Sequence, residues 1–557
     1  MRTSLTIWIL LFSFNAFSQE WLWAHTVSSN QVYTYGARVD ARDFGYFAGS
    51  TSGDAIFESL HDTIPVSDLK GFTVKFDTSG NLIWVSGLWH EGSISSIPWH
   101  GGFALDKSGN SYLTGAYEGT TFFGNVADTI QRTSYQNSAD EFLGKLDSNG
   151  NPLYFSTHAD ICSDYGYIIS VLNNGELIYL RSDIIDCGPM FGTAVDFMSK
   201  LDSVSGNPVW TLTPNANIPE NNDVRVIPTS DGDFLICGYY NDATTFQGIS
   251  SQINVPASSG QTDVFLVKYS TNGEVLWART VLGLDSEHIR GIAVDGNNNI
   301  LLAIESQGIC LYDSMALPTL GSRTMHIIKV DSIGNYIDHI SFNAGYYMHF
   351  WLSDLKSDKG GNVYITASLD TTLIINSDTV FNNSDPLNKS MFILKFDSHL
   401  NYLWSQYVTG HCNCNSFIAI TDSLIYYTQN YDGDVSLHGS SFSFPASNSP
   451  QYSPLFAAIK NGGSTRSIQQ SLSTAKESKV NNILVYPNPS SSIFTATYGN
   501  SQELKNIRVY NLLGACVFKN TTNQKNSNID MTMHPPGIYL LEIIAPSGKG
   551  VAKICLQ

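Results

Sequence analysis

Charge is scarce in this chain of 557 residues: Asp, Glu, Lys and Arg make up 14% of it. Long exposed helices need more, so short strands joined by polar turns are the expectation, in keeping with the abundance of Gly, Ser, Thr, Asn and Tyr. Cations are the scarcer sign, 30 Lys and Arg against 49 Asp and Glu, for a formal net charge of -19. That balance argues against binding a phosphate backbone, and no nucleic-acid partner is expected. Eight cysteines are too few to frame a fold of this size. Beyond the first 18 residues, no apolar run approaches the ~20 residues of a membrane-spanning helix, so no transmembrane segment is expected in the mature chain. Residues 1–18 read as a secretory signal peptide, with Arg2, an apolar stretch from Leu5 to Phe14, and Ala16-Phe17-Ser18 at the cleavage site.

What the chain has is a repeated phrase: Lys, an apolar residue, often Asp, a Gly/Asn turn, then a strand ending in Trp. Copies are Lys75-Phe76-Asp77 with Gly80, Asn81 and Trp84; Lys145-Leu146-Asp147 with Gly150, Asn151 and Tyr154; and Lys200-Leu201-Asp202 with Gly206, Asn207 and Trp210. Lys268, Lys329, Lys395 and Lys460 head the others. The copies recur roughly every 55 to 70 residues, the mark of stacked supersecondary units. A second phrase lies upstream in each unit, as in Phe103 to Asp106, Gly109-Asn110, Tyr112 and Gly115. Two hairpins per unit make four strands, one propeller blade.

Seven lysines give seven blades, over residues 19–460. The last lacks its final strand, since Lys460 is followed by Asn461-Gly462-Gly463. The missing strand is expected at the other end, where Trp23-Ala24-His25-Thr26-Val27 reads like Trp277-Ala278-Arg279-Thr280-Val281. Such a strand closes the ring and removes free sheet edges. The pattern resembles the bacterial SBBP repeat family of seven-bladed propellers, over about Trp21 to Lys460. Blade five departs from it with Asp338 at the Trp position, and blade seven with Asn461 in place of Asp.

Segments such as Asp77 to Asn81, Asp147 to Asn151 and Asp295 to Asn299 offer oxygen donors suited to calcium, but none carries the bidentate Glu. Tight turns explain every copy, and no cofactor is expected. Cys412-Asn413-Cys414 beside His411 lacks a second ligand cluster for zinc; a local disulfide or plain loop is preferred. Cys162 and Cys187 flank one hairpin and form the preferred disulfide, against two buried thiols.

Residues 461–481 have the composition of a flexible linker. From 482 to 557 alternating strands resume, suiting a small Ig-like β-sandwich. Tyr486-Pro487-Asn488-Pro489 opens this module, Tyr510-Asn511 with Gly514 follows, then Gly537 and Tyr539, and Lys553-Ile554 near the end. The ordered series resembles the type A C-terminal sorting domain of the type IX secretion system of Bacteroidetes. The resemblance implies an outer-membrane secretion machinery as partner and a secreted or surface-attached product.

The Asp/Gly/Asn turns all fall on one face of a propeller, whereas the long, irregular connections between second and third strands and the blade crossings fall on the other, where binding residues usually sit. The crossings offer Trp89-His90-Glu91, Trp99-His100, His158, Glu287-His288-Ile289-Arg290 and Tyr346 to Trp351. There is no Gly-x-Ser-x-Gly elbow, no His-Glu-x-x-His and no phosphate loop, and no catalytic residue is assigned. Binding of a glycan or a protein is therefore the favoured reading, with Trp99, His100, His288, Arg290, Tyr347 and Trp351 as candidate ligand-binding residues. The alternative is a secreted hydrolase of polysaccharide or peptide, with Glu91, His100 and His288 converging.

Overall fold

The computed structural model describes residues 20–557 except 30–31, 52–54, 58–68, 91–101, 126, 136–137, 159–161, 163, 186–192, 214–223, 259–260, 344–349, 370–372, 376–377, 382–389, 445–451, 462–483, 489, 498–504, 512–515 and 546–547. Every regular element among the described residues is a β-strand. Two compact units divide the chain, residues 1–469 and 470–557.

In the larger unit, antiparallel ladders group the strands in fours. The first group is Val32–Val39, Gly45–Thr51, Leu69–Phe76 and Leu82–His90; the second Phe103–Leu105, Ser111–Tyr117, Asp140–Leu146 and Pro152–His158. The third is Asp164–Val171, Leu177–Ile185, Thr193–Leu201 and Pro208–Leu212; the fourth Arg225–Pro228, Phe234–Tyr240, Asp263–Tyr269 and Val275–Gly283. The fifth is Glu287–Val294, Ile300–Ser306, Thr324–Val330 and Tyr336–Asn343. Phe350–Ser357, Val363–Leu369 and Ser390–Phe396 are completed by the first half of a long strand, Tyr402–Ile420. The second half of that strand pairs with Leu424–Leu437, which pairs with Ser453–Lys460. Ser453–Lys460 then pairs antiparallel with Trp21–Ser29, Trp23 opposite Ala458 and Thr26 opposite Leu455. The N-terminal strand thus completes the last group.

The repeated phrase has a physical cause. At each turn the Asp carboxylate gathers its own loop: Asp77 Oδ1 accepts the Ser79 and Asn81 amides at 2.9 and 2.8 Å, and Oδ2 accepts Asn81 Nδ2 at 2.8 Å. Asp106, Asp147, Asp331 and Asp397 do likewise. These carboxylate oxygens serve the turn itself. The carbonyl after the Asp is then claimed by the preceding group. Lys75 Nζ and Trp84 Nε1 both donate to Ser148 O, at 3.0 and 3.1 Å. Lys145 donates to Ser203 O and Lys329 to Ser398 O, and Trp210 donates to Thr271 O, at the turn where Ser270 stands in place of Asp. Trp23 donates to Thr78 O at 3.3 Å, the same part played from the other end of the chain. Gly80 fits beneath it, with φ of 87° and no room for a Cβ, which would stand 2.5 Å from the Trp23 ring. Burial lowers the pKa of Lys75, Lys145 and Lys395, against which Asp40, Asp106 and Asp358 hold the charge. Asn461 takes the sixth lysine, accepting from Lys395 Nζ at 3.3 Å and from Tyr364 OH at 3.0 Å.

Apolar packing follows the same succession. Tyr46, Trp84, Phe142 and Phe155 share one cluster across the first and second groups; Tyr112, Leu143 and Tyr179 another across the second and third. Further clusters join third to fourth, fourth to fifth, fifth to sixth and sixth to seventh. Trp23, Tyr426 and Phe456 pack with Phe47, Phe72 and Phe76, so the last group also packs on the first.

The connections between second and third strands are not all irregular, contrary to the sequence expectation. Ala55–Phe57 pairs with Trp21–Ser29, Thr120–Gly124 with Leu82–His90, and Cys310–Tyr312 with Val275–Gly283. The far end of Leu424–Leu437 pairs with Tyr402–Ile420 in the same way. Each such segment adds to the outermost strand of the preceding group and covers an edge that would otherwise be open. Cys162 is disulfide-bonded, and Cys187 lies outside the described residues. Cys412 and Cys414 lie within Tyr402–Ile420, where Cys412 pairs with Tyr431; their side chains lie outside the described residues.

The smaller unit has two antiparallel sheets, Leu484–Tyr486, Ile493–Thr497 and Asn526–Asp530 in one, Cys516–Thr522, Lys505–Tyr510, Gly537–Ala545 and Gly548–Leu556 in the other. Phe494 and Ile529 from the first meet Ile507, Val509, Leu541 and Ile554 from the second in one core.

Trp23→Ala should cost about 3–5 kcal/mol, the range for deleting a buried aromatic, read by urea unfolding of the full chain. Leu22→Ala, on the same strand but 40% exposed, should stay within about 0.5 kcal/mol. Equal losses for the two would mean that docking of this strand does not govern stability.

Candidate functional site

Because turns join first to second and third to fourth strands, the opposite end of every group carries the other connections. At that end the first strands share a register. Tyr33 stands opposite Ser50, Tyr165 opposite Ser182, His288 opposite Glu305 and Trp351 opposite Ser368. Two residues further on, each of these strands bulges, at Tyr35, Tyr167, Arg290 and Ser353. A bulge leaves one residue out of the ladder and re-aims its side chain. The sequence places His288, Arg290 and Trp351 on crossings; the structure places all three inside first strands, a correction. The strand begins early because Glu287 is buried and its amide donates to Thr262 O at 2.9 Å. Trp99, His100, Tyr347 and Glu91 lie outside the described residues, as does the side chain of Trp351.

His288 packs edge-on against Tyr239, ring centroids 5.4 Å apart. Arg290 Nε donates to Glu305 Oε2 at 2.9 Å, and Arg323 binds the other oxygen of that buried carboxylate. Tyr165 is 43% exposed, and Tyr33 lies against Tyr452 with centroids 5.8 Å apart. A cavity of about 30 Å³ bordered by Tyr35, Gly49, Gly71, Gly102 and Phe103 holds a water at most, not a sugar.

Two polar clusters were missed by sequence reasoning. Glu141, buried, lies 3.6 Å from Arg181 Nη1, whose Nη2 is 3.1 Å from Asp183. His158 Nε2 stands 4.0 Å from Asp183. Burial pushes Glu141 up to about 7, against the pull of Tyr179 and Arg181. The second cluster is Glu287 with Asp263, where burial and then the neighbouring Asp263 raise Glu287 from its ordinary 4.5 to about 8. Only the charges placed inside strand sequence, in Asp140-Glu141-Phe142 and Arg181-Ser182-Asp183, hinted at the first. Among the described residues, no group of three or more His, Cys, Asp or Glu is placed to hold a metal.

In the smaller unit the opening motif meets the last strand. Asn488 Oδ1 accepts the Cys555 amide at 2.9 Å, Ser490 N donates to Cys555 O, and Gln557 N to Ser490 O. Tyr486 and Pro487 are exposed. Tyr539 is buried and donates to Pro535 O at 2.7 Å, while Gly537 and Lys553 pair with Leu556 and Leu540. Pro489 and Gly514 lie outside the described residues. The model of the secretion system C-terminal sorting domain family matches residues 484–557.

This segment is a type IX sorting domain. The sorting domain sends the chain to the outer cell surface, for attachment or release. No described helix is long and apolar enough to cross a membrane. No curated protein matches the chain in sequence. Among solved structures, PorZ, an essential bacterial surface component of the type-IX secretion system of Porphyromonas gingivalis, aligns over 94% of this chain and 70% of its own, at 10% identity and a TM-score of 0.27. A PL25 polysaccharide lyase, an ulvan lyase, aligns over 78% and 97%, at 9% identity and a TM-score of 0.39. Puromycin hydrolase aligns over 84% and 58%, at 8% identity and 0.38. At such TM-scores none of the three bears on what this chain does.

Glu287 supplies a pH prediction. Its folded pKa lies above its unfolded value, so its stabilising contribution is whole below about 4.5 and is lost as pH rises through about 8. Glu287→Gln, which keeps a donor for Asp263, should match the natural chain near pH 4.5. It should exceed it near pH 8 by on the order of 2 kcal/mol, discounted for solvent screening. Parallel thermal-unfolding profiles across that range would refute the raised pKa of Glu287.

Proposed function

We propose that the four-stranded groups are the blades of a closed seven-bladed propeller over residues 19–460, exported behind a signal peptide of residues 1–18. A linker at 461–481 joins it to the Ig-like sorting module at 482–557. The propeller acts at the cell surface as a binding module for a glycan or protein. The observation that carries this reading is the aromatic row at equal register on the first strands: Tyr33, Tyr165, His288 and Trp351. Aromatic faces pack on sugar C–H faces and on apolar protein anchors, and the first strands of the first, third, fifth and sixth groups carry them at one level.

A hydrolase is the second reading, favoured by Glu141. A carboxyl titrating near 7 beside Arg181, Asp183 and His158 has the poise of a general acid. Against it stands the burial of Glu141 and the absence of a nucleophile motif.

Two measurements test the proposal. A chain lacking residues 482–557 should fold and stay in the periplasm; its normal appearance in the medium or on the surface would remove the export assignment. The full chain, screened against polysaccharides and surface proteins, should bind a ligand roughly three- to tenfold more weakly after Tyr165→Ala or His288→Ala. Hydrolysis abolished by Glu141→Gln would move the reading to enzyme.

A further inference from the structure

Below the aromatic row the first strands carry cations. Two residues ahead of the turn Asp, Ala104 and Ala293 fill the position in Ala104-Leu105-Asp106 and Ala293-Val294-Asp295, but Arg38 and Lys356 hold it in Arg38-Val39-Asp40 and Lys356-Ser357-Asp358. Arg225 begins the first strand of the fourth group. Away from the buried carboxyls Asp164 and Glu287 at the strand starts, Asp354 is the one acid within these strands, beside Arg38, Arg225, Arg290 and Lys356. That ratio runs against a chain whose formal charge is -19.

These groups meet across the molecule. Lys356 of the sixth group interacts electrostatically with Arg38 of the first and Arg225 of the fourth, and Arg38 with Asp354 of the sixth. The fourth group shares an apolar cluster with neither the first nor the sixth, so the meeting place is the middle, where first strands face one another. Asp354 is spoken for several times. Its Oδ1 takes Lys356 Nζ at 2.5 Å and the Leu355 amide at 2.9 Å, and its Oδ2 takes the Ile418 amide at 3.1 Å. Arg38 is aimed by Phe103, donating to its carbonyl at 2.8 Å with the guanidinium 5.6 Å over its ring. Burial lowers the pKa of Arg38 and Lys356, and the neighbouring guanidiniums lower Lys356 further. Like charges held close together repel, and the arrangement is relieved by an incoming anion.

We infer that the channel between the first strands, beneath Tyr35 and Tyr167, is a binding site for an anionic saccharide, one bearing carboxylate or sulfate groups. The inference rests on the proposed ring and binding module and names the chemistry of its ligand. Arg38, Arg225 and Lys356 supply the charge. Guanidinium forks match carboxylate and sulfate oxygens in pairs, which favours an acidic sugar over a neutral one.

The test is calorimetry of the full chain with three probes of equal length: oligogalacturonate, sulfated dextran and uncharged dextran, at two ionic strengths. Binding of one or both acidic probes, weakened by salt, with little for uncharged dextran, is expected; which acidic probe wins assigns carboxylate or sulfate. Lys356→Met and Arg225→Met should each weaken it roughly tenfold or more, as loss of a charged partner does. Arg38→Lys should retain part of it, and Lys359→Ala, on a side chain 88% exposed, should leave it unchanged. Thermal unfolding of each variant separates loss of binding from loss of fold. Equal or stronger binding of uncharged dextran, or Lys356→Met indistinguishable from Lys359→Ala, overturns the anionic site while leaving a binding module standing. Failure of every glycan and surface protein to bind overturns both.

Discussion

Backbone carbonyls at the turns tie the groups of the larger unit to one another. At several turns the residue after the Asp presents its C=O to the group before it, where a buried Lys or a Trp closes on it, and at Ser148 both Lys75 and Trp84 do. A buried ammonium is costly unless its hydrogen bonds are made. Lys75 makes them with the Ser148 carbonyl, with Asp40 at 3.5 Å and over the Tyr46 ring. The turn Asp is thus needed twice, to shape its own loop and to leave the carbonyl facing its neighbour. That coupling is why the phrase recurs almost unchanged while the connections at the other end vary freely, and why the variable end is open to carry a site.

Much of this was legible. The phrase fixed the strand pattern, and the likeness of Trp23 to Trp277 placed the N-terminal strand beside Ser453–Lys460 before any coordinate. It was legible because the four-stranded groups repeat the same local chemistry. The edge-covering segments such as Thr120–Gly124 and Cys310–Tyr312 were not, since they pair with a different group and nothing in their own residues names that partner.

The site was legible in part. His288, Arg290 and Trp351 were singled out for their chemistry, yet no residue type announces the register that His288 and Trp351 share with Tyr33 and Tyr165, or the bulge that carries Arg290. Glu287 reads as a loop residue until its contact with Asp263 is seen. Arg38 and Lys356 did leave a trace, as cations where sister blades carry Ala104 and Ala293. Glu141 and Asp183 lie in different groups, so only folding brings them to one arginine.

The pairing of Trp23 with Ala458 has a consequence for biogenesis. These partners lie at opposite ends of the larger unit, so the contact waits for nearly all of that unit to be available. Non-local contacts of this kind form late, because loop-closure entropy is lost before they stabilise anything. While the chain is still emerging its first strand has only the short segment Ala55–Phe57 to pair with, and its main partner, Ser453–Lys460, comes last. The closing strand acts as a latch that engages only after the unit's last strand has arrived.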